Sequence, residues 1–256
     1  MKRLIEDDLL QWKQKKNDRM PLLLYGARQV GKTWLLQDFG KRHYQNSVYV
    51  NFERMSVLKD YFEGDLSPDR LLGLLEAYFQ TKIHPGKTLL IFDEIQACER
   101  ALTSLKYFCE DAPDIHVAAA GSLLGVAVHR QHFSFPVGKV LTKTLYPFRF
   151  DEFLSALSRD DLVKVIREHF ADGSQMPKAT HAELRYLLKT YLFVGGMPAV
   201  IRKYLEEESL INIPEMQGMI LDAYTADMSK YATEGESTRI RGAFHSLPAQ
   251  LAKENR

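Results

Sequence analysis

One lysine, one threonine and a pair of adjacent carboxylates carry the chemistry that this sequence can do. Lys32 and Thr33 close the stretch Gly26-Ala27-Arg28-Gln29-Val30-Gly31-Lys32-Thr33, which fits the phosphate-cradling pattern G-x-x-x-x-G-K-[ST]. Gly26 and Gly31 let the backbone turn tightly and approach a phosphate closely. The loop N–H groups and the start of the following helix then face the anion. Lys32 is expected to neutralise the β- and γ-phosphates of a nucleotide, and the Thr33 hydroxyl to hold Mg2+. Ala27, Arg28, Gln29 and Val30 line the loop, and Trp34, the next residue, completes the expected binding set.

The carboxylates come sixty residues after Thr33, at the end of Thr88-Leu89-Leu90-Ile91-Phe92-Asp93-Glu94. An apolar strand ending in two acids has the form of a Walker B segment. Asp93 at its tip would hold Mg2+ through water, and Glu94 would orient and activate an attacking water. A third polar position follows at Ser122, just after the short apolar run His116–Ala120, where a strand ends beside a γ-phosphate. Ser122 is expected to sense that phosphate, with a plain loop serine as the alternative.

These residues need a particular scaffold, and the flanking pattern supplies it. Leu22-Leu23-Leu24-Tyr25 before the glycine loop reads as a buried parallel strand, and Trp34 to Phe39 after it has helical spacing. Ser47 to Glu53 reads as a second strand, and Lys139 to Leu145 alternates as a fifth, edge strand. Helices are expected over residues 4–16, after a cap at Ser67 or Asp69, and over 99–111. Residues 57–63 give no clear pattern. Strands alternating with helices imply a parallel sheet covered on both faces, an α/β P-loop NTPase fold.

Beyond Tyr146-Pro147-Phe148-Arg149-Phe150 the pattern changes to nearly all helix. Leu184, Leu187, Leu188, Tyr191 and Leu192 share one face, Gly195-Gly196 ends that helix, and Pro198 opens another at its favoured first position. Met216, Met219, Ile220, Ala223, Tyr224, Met228 and Tyr231 form a further stripe of core-packing character. The expected division is a P-loop core over 1–150 and a mainly helical region over 151–256 that runs into the start of a C-terminal region. His129 and His132 lack the acid or cysteine neighbours of a metal site, and Arg130 is a candidate arginine finger acting in trans.

Composition excludes several classes. The 256 residues are 45% apolar and 26% charged, ordinary for a soluble globular chain. Thirty-four Lys and Arg against 33 Asp and Glu leave a formal charge of +1, so net charge gives no argument for nucleic acid. No apolar run suits a membrane span, and the start of the chain turns acidic without a signal-peptide core, so the expected location is the cytoplasm. Cys98 and Cys109, if on one helix, lie roughly 16 Å apart, too far for a disulfide.

Five motifs in order, GARQVGKT, LLIFDEIQ, the GS at 121–122, YPFRFDEFL at 146–154 and GGMPAVI at 195–201, closely resemble a prokaryotic AAA+-like P-loop ATPase family that pairs its ATPase core with a C-terminal domain of unknown function. The resemblance covers essentially the whole chain. It implies strand order 5-1-4-3-2 followed by a mainly helical lid. It also implies that Gly196-Met197-Pro198 brings Pro198 near the adenine. Where many relatives have Gly-Arg this chain has Gly138-Lys139, which loses arginine's fork and leaves Lys139 or Arg130 to substitute. Relatives continue further, so the chain is expected to be truncated or naturally short. The expected activity is Mg2+-dependent binding and hydrolysis of ATP, coupled to an unidentified protein partner and to assembly into a homo-oligomer. Two alternatives stand: a slow-hydrolysing ATP-gated switch, and the ATPase part of a DNA-processing protein, the latter by family analogy alone.

Overall fold

The computed structural model describes residues 1–16, 18–121, 136–230 and 234–254. Five strands, β1 (Leu22–Gly26), β2 (Asn46–Asn51), β3 (Thr88–Asp93), β4 (His116–Ala120) and β5 (Leu141–Leu145), pair in parallel in the order β2-β3-β4-β1-β5. This is the expected 5-1-4-3-2 order. Every residue of β3 and β4 is buried, as continuous apolar runs in central parallel strands require. β5 pairs only with β1, and its residues alternate between the sheet and solvent because it is an edge.

The two faces of the sheet bury different helices. Leu22, Leu24, Leu89, Ile91, Ala118 and Ala120 pack with Leu9 and Trp12 of α1 (Ile5–Gln14) and with Leu35, Leu36 and Phe39 of α2 (Lys32–His43). Their odd or even counterparts Leu23, Leu90, Phe92, Val117 and Ala119 pack with Leu71 and Leu75 of α3 (Pro68–Phe79) and Leu102, Leu105 and Phe108 of α4 (Glu99–Asp111). The strand period of two thus sorts each run between two cores. The unclear stretch is a 3-10 helix, Ser56–Phe62, whose tighter pitch gives neither pattern while still burying Leu58 and Phe62.

Two local details differ from expectation. Ser67 stands at the cap position of α3, but its hydroxyl donates to Asp65 (2.5 Å) and Pro68 opens the helix instead. Cys98 is the cap residue of α4 and only Cys109 lies within the helix; both are free thiols.

The C-terminal region is helical: α5 (Phe150–Ala156), α6 (Asp160–Asp172), α7 (Lys178–Val194), α8 (Pro198–Glu207), α9 (Ile213–Lys230) and α10 (Glu234–Glu254). Phe148, Phe153, Val194, Val200, Ile201, Ile213 and Ile220 form a separate core there. Among the described residues no helix is long and apolar enough to cross a membrane.

The N-terminus joins this region to the sheet. Arg3, only 5% exposed, donates from Nε to Glu152 Oε1 of α5 (3.0 Å), from Nη1 to the carbonyl of Val30 (3.3 Å) and from Nη2 to that of Tyr146 (2.5 Å). Its guanidinium lies 4.1 Å from the centre of the Phe148 ring. Glu152 also accepts the N–H groups of Leu4 and Arg149, capping the start of α5.

Candidate nucleotide-binding site

The carboxyl ends of β1 and β3 bring the glycine loop and the acidic pair together, the edge at which open parallel sheets bind ligands. Gly26 ends β1 opposite Leu145 of β5, and a Cβ there would come 2.4 Å from the Leu145 carbonyl oxygen. The close approach of the edge strand, more than its φ of 152°, restricts the position to glycine. Gly31 caps α2 in the left-handed region at φ 97°, and Gln29 is also left-handed at φ 62°. Such alternation makes the kind of concave turn whose N–H groups converge on an anion.

Lys32 and Thr33 form the first turn of α2. The Lys32 ammonium folds back over the loop, donating to the carbonyls of Gly26 and Ala27 at 2.9 Å each. Burial pulls its pKa below the ordinary 10.5, and the nearby carboxylates of Glu94 and Asp93 oppose that shift. The Thr33 hydroxyl donates to Asp93 Oδ2 at 2.9 Å across sixty residues of sequence. Asp93 is buried at the tip of β3; Glu94 follows in the left-handed region at φ 49°, which turns the chain out of the sheet. Burial raises the Glu94 carboxyl above 4.5 and makes it a stronger base; the amide of Gln96, donating to Oε2 at 2.5 Å, acts in the other direction.

Trp34 is half exposed on α2 and lines a cavity of about 400 Å³ with Met1, Lys2, Glu6, Asp38 and Arg42. The side chain of Pro198, the first residue of α8, lies 3.7 Å from where a Gly31 Cβ would sit. Gly196 is pressed onto the end of the sheet region: its carbonyl accepts the Phe148 N–H at 2.7 Å, and a Cβ would fall 2.5 Å from Phe148 O. Two sequence motifs, Tyr146-Pro147-Phe148 and Gly195-Gly196-Met197-Pro198, therefore touch. Ser122 and Arg130 lie outside the described residues, as do His129 and His132. Lys139 pairs with Glu110 of α4 at 2.8 Å.

Several contacts at this site escaped the sequence pattern. Tyr49 and Asn51 of β2 donate to the same Asp93 Oδ2, at 2.7 and 3.3 Å. The one available signal was a polar residue ending a strand that the α/β pattern sets beside the acidic strand. From the C-terminal region, Tyr224 of α9 donates to the Arg28 carbonyl at 2.7 Å, and Asp227 pairs with the Arg28 guanidinium. No local pattern announces a contact spanning about 200 residues.

The residues present suit a magnesium nucleotide. The cradle is built where a side chain would not fit, a lysine ammonium already rests on the loop, and a hydroxyl and a carboxylate oxygen stand 2.9 Å apart. Among the described residues no group of three His, Cys, Asp or Glu is placed to hold a metal by itself. One protein hydroxyl, a carboxylate that reaches the ion through water, and phosphate oxygens are what Mg2+ accepts.

A family model described as an AAA domain matches residues 18–154, and one described as a domain of unknown function (DUF8612) matches residues 185–256. No curated protein matches the chain. Among solved structures, C. elegans PCH-2 overlaps 88% of this chain and 66% of its own length, at 14% identity and TM-score 0.43. AMPPCP-bound DnaA from Aquifex aeolicus overlaps 89% and 68%, at 12% identity and TM-score 0.47. The Aeropyrum pernix ORC2 protein overlaps 62% and 52%, at 16% identity and TM-score 0.42. This chain therefore spans from about half to about two thirds of the chains it overlaps. Overlaps this loose carry no argument about its chemistry.

Proposed function

This chain belongs to the AAA domain family, and from that premise we propose that it binds ATP with Mg2+ and hydrolyses it. The observation that carries the reading is the 2.9 Å contact of Thr33 with Asp93 beside the Lys32 ammonium, with Glu94 next along the chain. Mg2+·ATP would supply the phosphoryl group and the cation that offsets its charge. Lys32 and the loop N–H groups bind the phosphates, Thr33 and Asp93 hold the metal, and Glu94 orients a water and takes its proton. Trp34 and Pro198 flank the base, Ser122 reads the terminal phosphate, and Arg130 is the candidate finger reaching a neighbouring copy. Residues 1–150 act as the ATPase core and 151–256 as a helical lid, at work in the cytoplasm.

One observation favours a second reading, the nucleotide-gated switch. α9 holds Arg28 through both its carbonyl and its guanidinium, so the helical region meets the phosphate loop directly. A partner, a second copy of the chain or DNA would then respond to the state of that contact. Glu94→Gln separates binding from turnover. It should retain ATP binding within about threefold and lower kcat at least about 100-fold. Unchanged turnover would remove Glu94 from the mechanism. Turnover per chain that rises with protein concentration would indicate a site shared between copies. Flat, near-zero turnover with tight ATP binding would indicate the switch.

A further inference from the structure

The carboxylate at the tip of β3 receives more hydrogen bonds than its own strand requires, and all of them, among the described residues, fall on one oxygen. Asp93 Oδ2 accepts from Thr33 Oγ1 (2.9 Å), Tyr49 OH (2.7 Å) and Asn51 Nδ2 (3.3 Å). The strand register explains how two of these donors arrive. β2 lies beside β3 with Tyr49 opposite Ile91 and Asn51 opposite Asp93. Residues two apart on a strand share a face, so Tyr49 lies on the α2 side of the sheet, packed at the edge of that core, with its hydroxyl extended toward the strand end. Asn51 is itself held: its Oδ1 accepts the N–H groups of Glu53 (3.1 Å) and Arg54 (2.9 Å), which leaves its Nδ2 for Tyr49 OH (3.2 Å) and Asp93.

We infer that Tyr49 is a positioning residue for the metal carboxylate: its hydroxyl fixes the Asp93 side chain in the orientation that meets nucleotide-bound Mg2+, leaving Oδ1 for the metal's hydration shell. This rests on the nucleotide reading above. Several features support a role for the hydroxyl beyond ring packing. The ring alone would fill the space beside α2, whereas the half-buried O–H needs a polar partner and finds the one carboxylate that matters. A metal-ligating carboxylate held by outer hydrogen bonds binds without reorganising, and loss of such a partner weakens metal binding by about tenfold or more.

Tyr49→Phe in the full chain tests this, since it keeps the ring and removes one donor. The readouts are Mn2+ binding by electron paramagnetic resonance in the presence of AMPPCP, AMPPCP affinity in EDTA, and the thermal midpoint. The expected result is an apparent metal affinity about tenfold weaker, metal-free nucleotide affinity within about twofold of the parent, and an unfolding midpoint within about 2 °C. Adding Tyr49→Phe to Asp93→Asn should produce no further loss of metal binding, because the hydroxyl acts through that carboxylate. A Tyr49→Phe metal titration that overlays the parent overturns the inference. So does a parallel loss of metal-free nucleotide affinity and thermal midpoint, the signature of a merely structural tyrosine. If the parent chain bound no metal–nucleotide at all, the nucleotide reading would fall with it, an outcome distinct from a parent that binds and a variant that matches it.

Discussion

Replacing Arg3 with methionine is the perturbation whose size the structure defines best. Arg3 and Glu152 are each 5% exposed and joined at 3.0 Å, a buried ion pair. Removing one partner of such a pair costs about 3–5 kcal/mol, chiefly because the other charge is left without its counterion. Here Glu152 keeps two N–H donors, Leu4 at 2.7 Å and Arg149 at 3.0 Å, which places the loss near the lower end, about 3 kcal/mol. Methionine retains most of the apolar stem, so cavity formation adds little. For a chain of 256 residues, about 3 kcal/mol lowers the unfolding midpoint by roughly 6–12 °C. The double variant Arg3→Met with Glu152→Gln carries no unpaired charge, and its one amide oxygen keeps one of the two N–H groups, which reach different carboxylate oxygens in the parent. It should recover about 1–2 kcal/mol relative to Arg3→Met alone. Calorimetry on the four proteins of this cycle is the assay. Nucleotide affinity should weaken as well, since Arg3 also holds the Val30 carbonyl of the phosphate loop. A midpoint loss under about 2 °C for Arg3→Met, or strict additivity in the cycle, would refute the claim that this pair ties the N-terminus, loop and helical region together.

Three further outcomes follow from local geometry. Gly196→Ala sets a Cβ 2.5 Å from Phe148 O and 2.9 Å from Pro147 Cβ, and should cost about 2–4 kcal/mol through overpacking and the strained Phe148–Gly196 hydrogen bond. Gly73→Ala in α3 meets nothing within 4 Å and should instead stabilise by about 0.5–1 kcal/mol, so thermal melts of the two variants should move in opposite directions. His116, buried and hydrogen-bonded to the Tyr44 hydroxyl at 2.7 Å, has its pKa lowered by burial from 6.5 to about 4. Between those values the unfolded chain binds the extra proton and the folded chain does not, so stability falls as pH drops through the window, by roughly 3 kcal/mol at its lower end. Urea melts at pH 7 and pH 4.5 should show a smaller pH difference in His116→Gln than in the parent; equal differences would mean that His116 is not a source of the acid sensitivity.

Local patterns account for much of this chain. The apolar runs of β1, β3 and β4 determine central strands because backbone buried on both faces requires continuous hydrophobic residues. The glycine loop was legible between β1 and α2 from spacing alone, since a strand–turn–helix of this shape needs glycines at fixed separations. The acidic pair was legible too, at the end of the apolar run that forms β3. The α3 cap falls at Ser67, one of the two residues that the pattern offers, but a serine, an aspartate and a proline within three residues each offer a way to start a helix, and the serine hydroxyl bonds elsewhere. Only the competition for hydrogen bonds in space decides among them.

Residue order by itself determined the parallel α/β sheet and, by way of family motifs, its strand sequence. Tertiary structure alone decided which carboxylate oxygen Thr33, Tyr49 and Asn51 share, that Arg3 reaches Val30, Tyr146 and Glu152 at once, and that α9 closes on Arg28. The reason is physical. Periodicity and turn chemistry act between residues a few positions apart, where chain geometry dictates who can meet. A hydrogen bond between residues 3 and 152, or 28 and 224, depends on how the packed faces of separate elements place their side chains, and no local pattern encodes that placement.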